Sequence, residues 1–163
     1  MSDVPEDRPL VKSVLDRLID DEPHRKQELP KARQQLLREL KENVRRDLQN
    51  LLNTRWRCSS WPPDFAELDR SLVNYGLPDF TGASIYSTEP DEFRRIVEAA
   101  IRRAESRFKS VKVSLVRNTD QSDRTLRFRI DVLLYAQPAP EPLVFDSQLE
   151  PVSCNFQVTA DGR

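Results

Sequence analysis

The sequence is poor in the residues from which most small-molecule sites are made: among 163 residues there are three glycines, two cysteines and one histidine. A phosphate-cradling loop needs clustered glycines so that backbone amides can converge, and here the glycines are scattered, which argues against nucleotide binding. Cys58 and Cys154 lie far apart and in no paired motif, so neither a disulfide framework nor a zinc site is indicated. His24 sits in the polar run Asp-Asp-Glu-Pro-His-Arg-Lys, with no nucleophile nearby to activate, which removes Ser-His-Asp and Cys-His catalysis. No metal or cofactor is expected. There is also no long apolar run, and the first residues lack a signal peptide's basic start and hydrophobic segment, so the expected location is cytoplasmic. With 26 Lys and Arg against 27 Asp and Glu, no overall field draws the chain to nucleic acid or an anionic membrane.

What the chain does have is charge of both signs. A charged fraction of 33%, hydrophobic content of 37% and mean hydropathy of −0.67 describe a modest core with surfaces suited to meeting other proteins. The expected organisation is a tail, short helix and linker over residues 1–30, then a single α+β domain over 31–163.

That domain is organised around residues 91–116. Phe93, Ile96, Val97, Ala100, Ile101, Ala104 and Phe108 recur at the spacing of one helix face, while Val111, Val113 and Leu115 alternate with polar residues as one face of a strand. An apolar helix must therefore lie on a sheet. Before it, Leu36, Leu37, Leu40, Val44, Leu48, Leu51 and Leu52 form a long helical stripe, whose opposite face mixes arginines and acids and reads as solvated. Asp64 with Glu67 opens a short helix carrying Phe65, Leu68, Leu72 and Val73, which stops at Gly76; Thr88 to Asp91 gives the capping signal of the central helix. Trp56 and Trp61 read as lids on the end of the core.

Strands follow at Val111 to Val116, Thr125 to Ala136, Leu143 to Phe145 and Val152 to Val158, with Pro138, Pro140 and Pro142 interrupting the pattern. The expectation is an antiparallel sheet of about four strands packed against amphipathic helices, with Cys154 as a small core residue and the last strand or Leu143 to Phe145 at an edge. An N-terminal helical extension carries Leu10, Val11, Val14, Leu15, Leu18 and Ile19; it is too short to persist alone and must lie on its own domain or in a partner's groove.

Two residues stand out at the end of the central helix. At about 100° per residue, Arg107 and Glu105 fall on opposite sides of the apolar stripe, and are expected to seek separate partners. Glu105 is also the one acid whose context could raise its pKa. A muramidase, which needs two carboxylates with different protonation, is the enzymatic alternative, but no second carboxylate suggests itself.

Four stretches together resemble a known family. Arg-Pro-Leu-Val-Lys-Ser-Val-Leu-Asp-Arg-Leu (8–18), Asp-Asp-Glu-Pro (20–23), Leu-Leu-Asn-Thr-Arg (51–55) and Ser-Leu-Val-Asn-Tyr-Gly-Leu-Pro-Asp-Phe (71–80) resemble the TssE family, type VI secretion baseplate subunits related to a phage-tail baseplate wedge protein. The family's Glu-Pro-Arg motif between helix and strand corresponds here to Glu105-Ser106-Arg107, with serine in place of proline. The resemblance implies a non-enzymatic part of a contractile injection machine. It would join the wedge proteins TssF, TssG and TssK and pass contacts to the sheath proteins TssB and TssC by strand exchange. Glu105 and Arg107, with Leu10, Leu15 and Leu18 of the amphipathic extension, are the candidate partner-binding residues.

Overall fold

The computed structural model describes residues 13–19, 23–24, 32–57, 62, 64–65, 67–68, 71–79, 89–118, 123, 125–136, 139–150 and 153–160. Leu10, Cys58, Trp61, Thr88 and most of the expected linker lie outside them. Three helices, α1 (Val14–Leu18), α2 (Arg33–Asn53) and α3 (Pro90–Ala104), precede four strands, β1 (Phe108–Val116), β2 (Leu126–Leu134), β3 (Glu141–Glu150) and β4 (Asn155–Ala160). The strands pair antiparallel in chain order, β1-β2-β3-β4, giving an α+β fold.

Period-two alternation makes one face of this sheet apolar. Rows such as Leu115, Phe128, Ser147 and Val158, or Val113, Ile130, Phe145 and Ala160, run across neighbouring strands on that face. Both long helices lie on it, α3 against β1 and α2 against β4. Leu40, Val44, Leu48, Leu51 and Leu52 of α2 are buried, as are Phe93, Val97, Ala100 and Ile101 of α3, so each stripe turns its apolar side to the sheet. Phe93, Phe128 and Phe156, from one helix and two strands, gather with ring centroids 5.7 to 6.4 Å apart.

Several expectations need correction. β3 is ten residues long and internal, so Leu143 to Phe145 is not at an edge. Pro142 is accommodated inside the strand, at its beginning, instead of interrupting it. The edges are β1 and β4. Cys154 lies in the turn before β4 with a positive φ of 52°, half-buried beside the core, because the β3–β4 reversal takes the residue that alternation alone would place in the strand. From Asp64 to Asn74 the described residues form short turns and a 3₁₀ turn at Leu72–Asn74. Leu68 N–H donates to the Phe65 carbonyl and Ser71 N–H to that of Leu68, and Phe65, Leu72 and Val73 are exposed while Leu68 is half-buried, so among the described residues the segment runs in 3₁₀-type turns. Glu89 caps α3 through its backbone and Pro90 takes the first helical position.

Gly76 closes the connection. Leu77 N–H donates to the Thr54 carbonyl at 2.9 Å and Trp56 N–H to that of Leu77 at 2.9 Å, which fastens this segment to the end of α2. Trp56 Nε1–H donates to the Gly76 carbonyl at 2.8 Å, and the Arg103 guanidinium lies over the Trp56 ring, so half-buried Trp56 is held by contacts within the domain. Gly76 itself has φ of 109°, and a Cβ there would stand 2.2 Å from the Thr54 carbonyl oxygen. The Gly76→Ala variant is expected to lose about 2 kcal/mol or more from backbone strain and displacement of this contact, read by urea unfolding. A midpoint equal to that of the parent would show that the turn is not fastened in this way.

Candidate functional site

The site lies where α3 meets β1. The helix ends at Ala104, and Glu105, its C-cap, is extended at φ −106° and ψ 91° while its N–H still donates to the Ile101 carbonyl. Helical geometry therefore stops one residue before the charges. Glu105 and Arg107, two apart on non-helical backbone, turn to the same side and pair with each other, contrary to the sequence expectation. Arg107 Nε–H donates to Glu105 Oε2 and Nη2–H to Oε1, both at 2.9 Å, a bidentate fork. The same Nη2 donates to Asp47 of α2 at 2.6 Å. The helix boundary that proline would impose is reached here with Ser106.

The chain of charges continues beyond the corner. Arg46, beside Asp47 at 4.0 Å, donates to Asp16 of α1. Asp16 also closes a capping box with Ser13: Asp16 N–H donates to Ser13 Oγ at 3.1 Å, and Ser13 N–H to Asp16 Oδ2 at 3.2 Å. Five charges, Asp16, Arg46, Asp47, Arg107 and Glu105, thus join three elements in one row. Glu105 is 9% exposed, the Arg107 side chain 14% and the Asp16 side chain 2%. Arg107 Nη1 is buried without a hydrogen-bond acceptor among the described residues.

Three carboxylates share two guanidinium groups, and the excess shows in the electrostatics. Burial pushes the Glu105 carboxyl up; Asp47 and Asp16 push the same way, and Arg107 only partly opposes them. Burial, Glu105 and Asp47 together raise the nearby Tyr75 hydroxyl. Burial would also raise Asp16, but its bonds to Ser13 and Arg46 outweigh it and leave that carboxyl lowered. Buried rows of this kind are costly to break from one end, because removing a single member strands a charge at about 3 to 5 kcal/mol.

The extension meets the domain through its polar side. Asp16 is held inward while Leu15 is 52% and Leu18 76% exposed, and Val14 and Ile19 are exposed with them. Reading an amphipathic helix as lying on its own domain by its apolar side fails for the described part of α1. An ion pair, a signal that periodicity does not register, anchors it instead. Asp16, Arg46 and Asp47 were not among the sequence candidates for the same reason: each has an ordinary explanation within its own helix.

The corner and most of both long helices fall within residues 38–139, which match the family model of baseplate wedge protein gp25. The chain belongs to that family. The gp25 assignment places it among phage-tail-like baseplate structural proteins. No curated protein and no solved structure gives a match. Among the described residues no helix is long and apolar enough to cross a membrane.

The titration of the corner is testable in this gp25-family chain. A carboxyl raised above its ordinary 4.5 favours the folded state most at low pH, and its contribution fades as pH rises through the raised value. Measured as melting temperature, the parent is therefore expected to lose ground to Glu105→Gln as pH is increased from 4.5 towards neutrality. Asp16, being lowered, works in the opposite direction, its contribution fading as pH falls below 3.8. A parent-minus-variant difference for Glu105→Gln that stays flat or grows with pH would contradict the assignment of the excess negative charge to Glu105.

Proposed function

We propose that this chain is the TssE subunit of a type VI secretion baseplate, a cytoplasmic, non-enzymatic part that assembles with TssF, TssG and TssK and connects the baseplate to the sheath proteins TssB and TssC. The gp25-family match carries this reading, since it spans the Glu105-Ser106-Arg107 corner. The corner is the proposed docking point, and the apolar side of α1, with Leu15, Leu18 and the preceding Leu10, is its second arm. Arg107 Nη1 is buried without an acceptor among the described residues, so a partner carbonyl or carboxylate takes this donor only if the corner opens. The muramidase alternative gains nothing from the geometry: both oxygens of Glu105 accept from Arg107, and Asp47, the next carboxylate, is held by the same guanidinium.

The two arms can be tested together by co-purification with TssF and TssG. The E105A/R107A variant, shown to remain folded by circular dichroism, is expected to lose the partners. Leu15→Ser with Leu18→Ser is expected to keep the parent melting temperature, because both side chains are exposed, and still weaken recovery. Undiminished recovery in the folded double-alanine variant would remove the corner from the interface.

For the sheath we propose strand pairing at β4, the edge nearest the C-terminal end of the described chain. Binding of TssB and TssC is expected to slow hydrogen exchange at the Phe156 and Val158 amides. Protection gained only elsewhere would move the sheath contact off this edge.

A further inference from the structure

An edge strand offers unpaired N–H and C=O groups to any extended chain, and here both edges answer with side chains. On β4 the clamp comes from the Leu51-Leu52-Asn53-Thr54-Arg55 stretch and from α2. Asn53 Nδ2–H donates to the Phe156 carbonyl at 2.9 Å, while Phe156 N–H donates to Asn53 Oδ1 at 2.8 Å. A primary amide carries the same donor and acceptor as a peptide unit, so Asn53 stands where one residue of a fifth strand would stand. Arg45 donates to the Val158 carbonyl at 3.2 Å and Arg55 to that of Cys154 at 2.8 Å, extending the clamp by one position each way.

On β1 the clamp has another construction. Arg94 donates to the Val113 carbonyl at 3.3 Å, Arg102 to that of Val111 at 3.1 Å, and Val113 N–H donates to Glu98 Oε2 at 3.1 Å. These residues are spaced by four along α3, and Glu98 pairs with both arginines, at 3.3 and 2.8 Å. To free the β1 edge, a newcomer must break a connected set of charges. To free Phe156 it must displace one neutral amide. Asn53 is the last residue of α2 and is exposed, so its side chain can rotate away without disturbing the helix interior.

We infer that Asn53 is a displaceable plug on the β4 edge: it keeps the free protein from pairing with stray strands and yields to an extended peptide, while the Arg94-Glu98-Arg102 clamp keeps β1 closed. The inference rests on the strand-pairing reading of β4 and adds its control. A suitable probe is a peptide copied from Phe145–Glu150, since β4 already accepts that alternation on its other side.

The experiment compares the full-length parent with Asn53→Ala and Asn53→Asp, the latter keeping an acceptor for Phe156 N–H and losing the donor. In the absence of peptide the Phe156 amide of Asn53→Ala is expected to exchange about tenfold faster than in the parent. The peptide is expected to bind Asn53→Ala about tenfold more tightly and to restore protection at Phe156, with Asn53→Asp between the two. Equal binding by parent and variants, with protection at Phe156, would overturn the plug and leave strand pairing standing. Failure of all three proteins to gain protection at Phe156 would overturn both. If Asn53→Ala does not fold, the comparison of parent with Asn53→Asp decides.

Discussion

One guanidinium holds the corner of this molecule. Arg107 takes both oxygens of Glu105 with one fork and reaches Asp47 with the same terminal nitrogen, so the end of α3, the start of β1 and the middle of α2 converge on it. A buried ion pair of this kind contributes little net stability compared with well-packed apolar side chains, because both ions must leave water. What it does impose is direction. An apolar contact tolerates sliding, whereas a bidentate fork has one geometry; next to Asp47 on α2, Arg46 in turn holds Asp16 of α1. The shape of this end of the molecule therefore depends on charges almost hidden from solvent.

Much of the fold was legible because hydrophobic periodicity is a direct consequence of burial. The stripes of α2 and α3 and the alternation in β2 appear in the sequence at the spacings that the sheet requires. The failures have physical causes of their own. The angular argument about Glu105 and Arg107 assumed helical backbone for two residues beyond the helix, and a change of backbone state at one residue reversed its conclusion. Strand order determines which strand is an edge, and no local pattern reports it. Leu143 to Phe145 was one of two candidates for an edge, yet β3 begins at Glu141 and lies between two neighbours. The apolar residues of α1 were legible, but their outward orientation follows from Asp16, whose partner lies thirty positions away.

The high charged fraction takes on a different meaning once the edges are seen. Arginines on α2 read from sequence as a solvated, ion-paired surface, and for part of that surface this holds: Arg45 pairs with Glu42 at 2.7 Å. The same Arg45 also reaches the Val158 carbonyl, and Arg94 and Arg102 reach β1. A long side chain that crosses from helix to strand edge satisfies the strand's carbonyl groups and at the same time presents charge against edge-to-edge association. The composition of the helices thus serves the sheet they cover.

The position of α2 has a consequence for how the chain reaches this structure. Its leucine stripe lies against β4, and the Asn53–Phe156 bonds join residues 103 positions apart. By contrast α3, β1 and β2 follow one another in sequence and pack on their immediate neighbours. Local contacts close early and distant ones late, because the entropy of a long loop must be lost before the contact forms. During synthesis α2 emerges first among the two long helices and finds its host last. Until β4 leaves the ribosome, α2 lacks the strand that its leucine stripe chiefly covers.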